Sequence, residues 1–149
     1  MRNETAPSVL VVEDEGLIAI LLKEVLADLG LEPSVFTEGE PAIASLAAGP
    51  YCAAILDLGL PDMDGSQIVN ALLERDPTFR ILLTTGRDPQ EVEERYAAFP
   101  RVRVLSKPFD ICMLEDELEQ LGIAKPVRRP PLRVVKDKLN DFVEVRMIA

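Results

Sequence analysis

Four short stretches of the sequence carry side chains able to do chemistry together. Glu13 and Asp14 follow the apolar run Ser8 to Val12, and Asp57 follows Cys52 to Leu56. The hydroxyl pair Thr84-Thr85 ends the run from Arg80 and is followed by Gly86, and Lys107-Pro108 comes just after Val102 to Leu105. Three carboxylates in one place repel one another strongly. A hard divalent cation relieves that repulsion, and Mg²⁺ favours carboxylate and water oxygens in an octahedral shell. A carboxylate beside such an ion can attack phosphorus and form an aspartyl phosphate. The transferred phosphoryl group spreads negative charge over three oxygens. The cation, the Lys107 ammonium and the Thr85 hydroxyl would each meet part of that charge. Gly59 and Gly86 have no side chain and keep the approach open.

Each member has a plainer reading when taken alone. Asp57 could be a turn or N-cap aspartate. Thr84 and Thr85 could be ordinary strand residues, and Lys107 a solvated charge. Glu13-Asp14-Glu15 could be acids placed favourably at the start of a helix. Their coincidence at the carboxyl ends of four apolar runs is what favours a site.

The elements that must position these residues alternate strictly. Ser8 to Val12 is a β-branched run that reads as a buried strand. Leu17 to Leu29 carries apolar residues at helical spacing, and Gly30 is a stop signal. Ser34 to Phe36 reads as a short strand, and Pro41 to Ala48 as a helix with proline in its first turn. Cys52 to Leu56 is the third strand. Ser66 to Arg75 is a helix with Ile68, Val69, Leu72 and Leu73 inward, closed by Pro77. Arg80 to Thr84 and Val102 to Leu105 read as strands around a more polar helix, Gln90 to Ala98. Asp110 to Leu121 is a last helix, with Ile111, Leu114, Leu118 and Leu121 spaced for one buried face. Five β-α units imply an α/β domain with a doubly wound parallel sheet, right-handed crossovers and helices on both faces. In the order 2-1-3-4-5, strands 1, 3, 4 and 5 bring their carboxyl ends together, where such sheets place ligands.

Composition bounds the rest. The chain has 149 residues, enough for one ordinary domain with a core. Its net charge of −10 argues against nucleic acid as the main partner. Residues 125–149 nevertheless hold seven basic and three acidic residues, a local +4, leaving −14 on the remainder. There is no histidine, so histidine catalysis, histidine metal ligation and a histidine phosphodonor within this chain are excluded. Two cysteines suggest no disulfide framework. No stretch is long enough to span a bilayer and no signal peptide is legible, so a cytoplasmic protein without membrane contact is expected. Residues 126–131 read as an extended Pro/Arg linker. Residues 132–149 fit either a hairpin, from Leu132-Arg133-Val134-Val135 and Phe142 to Met147, or a helix with Val135, Leu139, Phe142 and Val143 on one face. The alternation of Val143 and Val145 with charges leans toward the hairpin.

The stretches Val11-Val12-Glu13-Asp14-Glu15, Leu56-Asp57-Leu58-Gly59-Leu60-Pro61-Asp62-Met63-Asp64-Gly65, Leu83-Thr84-Thr85-Gly86 and Ser106-Lys107-Pro108-Phe109 together resemble the response regulator receiver domain of bacterial two-component signalling. The resemblance covers residues 7–122, followed by a linker at 123–131 and an extension at 132–149. It implies a flavodoxin-like five-stranded sheet, Asp57 as phosphoacceptor, and Mg²⁺ held by Asp14, Glu13, Asp57 and the Gly59 carbonyl. It also implies Thr85 as the switch hydroxyl, Lys107 as the phosphoryl-contacting lysine, and a cis bond before Pro108. The partner would be a histidine kinase or phosphotransfer protein, docking near Leu17, Ile20, Pro108 and Phe109. One departure stands out: the family's usual aromatic on strand five is Val104, with Tyr96 and Phe99 nearby in sequence.

Two function classes are open. The first is a stand-alone response regulator, not an enzyme, signalling by protein contact or by a change of oligomeric state, with the helix 4–strand 5–helix 5 face or the extension as a homodimer surface; a phosphate sink or relay intermediate is its variant. The second is a pseudo-receiver acting as a constitutive binding or dimerising module. An aspartyl phosphatase is disfavoured, since such enzymes usually carry an acid where Gly59 stands. Nucleic-acid contact through Arg128, Arg129, Arg133 and Lys136 is also disfavoured, because the body is acidic.

Overall fold

The computed structural model describes residues 6–124, 132–136 and 143–147. Five strands form one parallel sheet in the order β2-β1-β3-β4-β5: β1 (Ser8–Val12), β2 (Glu32–Phe36), β3 (Ala53–Asp57), β4 (Arg80–Thr85) and β5 (Val102–Ser106). The helices between and after them are α1 (Gly16–Asp28), α2 (Gly39–Ser45), α3 (Ser66–Arg75), α4 (Pro89–Arg95) and α5 (Ile111–Gln120). This is the doubly wound arrangement expected of strict β-α alternation.

Central strands buried on both faces need apolar residues at odd and even positions alike. β1 and β3 supply them. Leu10, Val12, Leu56 and Leu83 face one cluster with Ile68, Val69 and Leu72 of α3, while Ala42 of α2 and Val92 of α4 complete it. Val9, Val11, Ile55 and Leu82 face the other, against Leu22 and Leu26 of α1 and Leu114 and Leu118 of α5. The chain leaves α1 through Gly30, whose φ of 80° is the left-handed conformation that favours glycine.

Several boundaries differ from the periodicity reading. β2 begins at Glu32 and takes in Pro33. Proline is tolerated there because β2 is an edge strand, with one side free of ladder partners. β3 and β4 run through Asp57 and Thr85, so both functional residues lie in the last register positions of their strands rather than after them. α2 starts at Gly39 and stops at Ser45; Ala47 and Ala48 instead donate to Ala44 and Ser45, three residues back. α4 stops at Arg95 for the same reason, as Ala97 and Phe99 donate to Glu94 and Tyr96. Ile111 is exposed at the start of α5, and the buried face is carried by Leu114, Leu118 and Leu121.

In the extension, β6 (Leu132–Lys136) and β7 (Val143–Met147) pair antiparallel, which is the hairpin alternative rather than the helix. The linker at 125–131 and the hairpin's connecting residues 137–142 lie outside the described residues.

Leu82 is fully buried between its strand neighbours and the α1/α5 layer. Leu82→Ala is expected to lower unfolding free energy by about 2–5 kcal/mol. Urea denaturation monitored by circular dichroism checks this.

Candidate functional site

Strand order puts the carboxyl ends of β1, β3, β4 and β5 side by side. The ladder fixes each functional residue. Glu13 continues β1 by donating its N–H to the Phe36 carbonyl at 3.0 Å, which carries the strand one residue further and turns its side chain into the protein. Asp57 pairs with Thr84, and Thr85 with Ser106. The Lys107 N–H donates to the Thr85 carbonyl at 2.8 Å, extending β5 so that Lys107 comes level with the acids. The bond between Lys107 and Pro108 is cis.

Lys107 joins the acids. Its Nζ donates to Glu13 Oε1 at 3.1 Å and to Asp57 Oδ2 at 3.0 Å, and lies 3.6 Å from Glu15 Oε1. The other oxygen of Asp57 accepts the Gly59 N–H at 3.0 Å. Glu13 Oε1 also accepts the Glu15 N–H at 3.2 Å. Asp57 and Glu13 are buried, whereas Asp14 is exposed.

Charge on this cluster does not balance. Burial is the largest cause pushing the Glu13 carboxyl up to about 7, with the negative charge of Asp57 adding to it; the Glu15 N–H and Lys107 oppose the rise. Burial would lower the Lys107 pKa, but the hydrogen bonds to Asp57 and Glu13 outweigh it, so the ammonium is held above its ordinary range. One ammonium faces three carboxylates. Oxygens of Glu13, Asp14 and Asp57 lie within 4.8 Å of one another, and Glu13 Oε2 is buried with no hydrogen-bond partner among the described residues. A buried carboxylate oxygen without a donor is costly. An all-oxygen set with excess negative charge and an unused buried oxygen fits a hard divalent cation such as Mg²⁺.

Thr85 is buried at the end of β4, and its Oγ1 accepts the Arg87 N–H at 2.9 Å, so the hydroxyl is turned to the loop after β4. Thr84 is buried as well, and its hydroxyl has no hydrogen-bond partner among the described residues. Val104 stands opposite Leu83, packed against the cluster that includes Tyr96. The Tyr96 ring is buried with its hydroxyl unpartnered, and burial pushes that hydroxyl's pKa up.

A cleft of about 350 Å³ opens beside Lys107, lined by Glu15, Ile18, Leu21, Pro108 and Phe109. Of the four residues expected at a docking surface, Pro108 and Phe109 line it. Leu17 and Ile20 do not; they are 86% and 56% exposed on α1, next to it in sequence. Ile18, Leu21 and Glu15 were not singled out from the sequence. The helical stripe that includes Ile18 and Leu21 reads as core, and only the structure shows that these two lie at its margin. Asp62 was also missed: it accepts the N–H groups of Gly39 and Glu40, a bond to a helix more than twenty residues earlier that leaves no local signal.

Comparison with known proteins agrees with this fold. The family model described as the response regulator receiver domain matches residues 9–119. The chain is 34% identical over 113 residues to the transcriptional regulatory protein QseB of Escherichia coli O157:H7, covering 76% of this chain and 52% of QseB. It is 32% identical over 141 residues to the transcriptional regulatory protein TcrA of Mycobacterium tuberculosis, covering 93% of this chain and 55% of TcrA. The chain thus spans about half the length of these relatives. The response regulator receiver protein CpdR of Brucella abortus is 29% identical over 116 residues and is covered over 97% of its length. Among solved structures, the Vibrio cholerae chemotaxis protein CheY4 superposes with a TM-score of 0.70 at 25% identity, over 78% of this chain and 99% of CheY4.

A raised Glu13 pKa has two consequences of opposite sign. In the metal-free protein the folded state retains a proton that the unfolded chain releases. This group therefore lowers stability as pH rises from about 4.5 to about 7. Cation binding requires the proton to leave, so Mg²⁺ affinity should rise across the same region and level off above it. Calorimetric Mg²⁺ titrations at about pH 6 and about pH 8 check this; in Glu13→Gln the difference between the two should shrink.

Proposed function

Since the chain belongs to the response regulator receiver family of two-component signal transduction, we propose that it accepts a phosphoryl group on Asp57 from a phosphohistidine of a kinase or phosphotransfer partner. The observation that carries this reading is the grouping of Glu13, Asp14 and Asp57 at the strand ends, with Lys107 paired to Glu13 and Asp57. These 149 residues contain no histidine, so the donor nitrogen lies outside them. In the transfer, a carboxylate oxygen of Asp57 bonds to phosphorus as the nitrogen–phosphorus bond of the donor breaks.

Receiver domains bind Mg²⁺ at an acidic site, and Glu13, Asp14, Asp57 and the Gly59 carbonyl are the groups to hold it in this chain. When bound, the ion would neutralise charge on the phosphoryl oxygens. Lys107, already 3.0 Å from Asp57 Oδ2, would then contact a phosphoryl oxygen in place of one carboxylate. The Thr85 hydroxyl, which accepts from Arg87, would turn to donate to another, freeing the loop after β4. Val104 offers less bulk than the aromatic usual at that position, so the movement passed to α4 and β5 would rest on Thr85 and the neighbouring Tyr96. The role is signalling rather than catalysis.

The cleft beside Pro108 and Phe109, with the exposed Leu17 and Ile20, is the surface we assign to the histidine-bearing partner. A cytoplasmic location goes with the free thiols of Cys52 and Cys112. Residues 7–122 form the receiver, and the extension at 132–149 serves to dock or dimerise. Its paired strands are too small a sheet to stand alone in water.

A second reading of the output is favoured by one observation. The match to TcrA is longer than the receiver body, so it runs into the linker and extension. On that reading the hairpin corresponds to the segment after the receiver in a transcriptional regulator, and the output is at DNA rather than between proteins.

Incubation with Mg²⁺ and acetyl phosphate should add one phosphoryl group by intact mass, and Asp57→Asn should show none; labelling that persists in Asp57→Asn would place the acceptor elsewhere. Light scattering after size exclusion should show a smaller assembly once residues 132–149 are removed. The same number of subunits in both forms would exclude the extension as a dimer contact.

A further inference from the structure

The loop between β3 and α3, residues 58–65, is tied at both ends. At its neck Gly65 donates its N–H to the Leu58 carbonyl at 2.9 Å, and Gly59 bridges to Asp64. A Cβ on Gly65 would collide with the Asp57 carbonyl, so only glycine lets the two arms approach this closely. At its tip the loop reaches across to α2. Asp62 Oδ1 accepts the Gly39 N–H at 2.7 Å, and Oδ2 accepts the Glu40 N–H at 2.8 Å. These are short, charge-assisted bonds, one to each oxygen. The next residue, Met63, seats against Gly39, where a Cβ would overlap its side chain. α2 makes no side-chain cap of its own at Glu38. The two N–H groups hold the Asp62 carboxyl below the usual carboxylate range, which records the same tie.

Gly59 lies between these anchors. Its N–H bonds to Asp57 Oδ1, and its bridge partner Asp64 is two residues from Asp62. Freeing the tip from α2 would leave the Gly59 peptide held at the neck alone. We propose that Asp62 is a positioning residue: by gripping α2 it fixes the Gly59 peptide against Asp57 and so sets how tightly the acidic site takes a divalent cation. This rests on the reading that Mg²⁺ sits among Glu13, Asp14, Asp57 and Gly59. Asp62 itself is exposed, bonds to Gly39 and Glu40, and is not a member of the carboxylate cluster found among the described residues. A plain surface cap in the same place would stabilise α2 and do nothing else.

The two roles separate by measurement on the full chain. Mg²⁺ is titrated calorimetrically into wild type, Asp62→Asn and Asp62→Ala, with thermal unfolding and the amide resonance of Gly59 recorded alongside. Asp62→Ala should weaken Mg²⁺ binding about tenfold, as loss of an outer-shell support does at other metal sites. Asp62→Asn keeps one accepting oxygen and should weaken it less, and it remains the readout where the alanine variant does not fold. In both, the Gly59 amide should shift before any metal is added. Mg²⁺ affinity within twofold of wild type, with only a lower melting temperature, would overturn the proposal and leave Asp62 a cap. A wild type that binds no Mg²⁺ would overturn the parent reading instead; an unmoved Gly59 amide in that case would overturn this one too.

Discussion

One ammonium holds two buried carboxylates of like charge within hydrogen-bond reach, and the rest of the domain is arranged so that it can. Lys107 lies between Glu13 and Asp57 on strands that are not adjacent in sequence. Taking such charges out of water is expensive, and only close pairing with good geometry offsets it. The geometry comes from the ladder: β1, β3, β4 and β5 end at one level because their registers agree to within a residue. Apolar layers cover these strands on both faces and shield the ladder from water. Even so the pairing is incomplete. Glu13 keeps an oxygen without a donor and a pKa of about 7. That unpartnered oxygen is what the proposed cation would meet.

Much of this was legible in the sequence, and for a local reason. Strand ends are marked where an apolar run meets Glu13, Asp57 or Lys107, and Gly30 marks the end of α1 by its backbone freedom. The face of α3 follows from the spacing of Ile68, Val69, Leu72 and Leu73, all buried. What sequence periodicity could not show depends on contacts distant along the chain. α2 begins two residues before Pro41 because Asp62 satisfies the N–H groups of Gly39 and Glu40. Pro33 sits in β2 because that strand is an edge. Ile111 has core spacing but lies beyond the packed layer, and Ile18 and Leu21 share the core stripe yet border a cleft. Tyr96, in a polar-looking segment, turns into the core beside Val104.

The site also connects outward in ways that its four motifs do not advertise. Thr85 bonds to Arg87 at the start of the loop leading to α4, and the loop after Asp57 is fastened to α2. Contacts that flank Asp57 therefore reach two different helices. The cleft lined by Glu15, Ile18, Leu21, Pro108 and Phe109 opens onto the same lysine from the α1 side. An acidic body with a basic C-terminal segment adds a long-range attraction that salt would screen.

The most direct test of the central interaction is the unfolding free energy of Lys107→Met with and without Mg²⁺, compared with wild type. If Lys107 is what offsets the repulsion between Glu13 and Asp57, the variant is less stable without metal. Mg²⁺ then restores more stability to it than to wild type, because the ion takes over the missing charge. A variant as stable as wild type, and no more stabilised by Mg²⁺ than wild type is, would contradict the account.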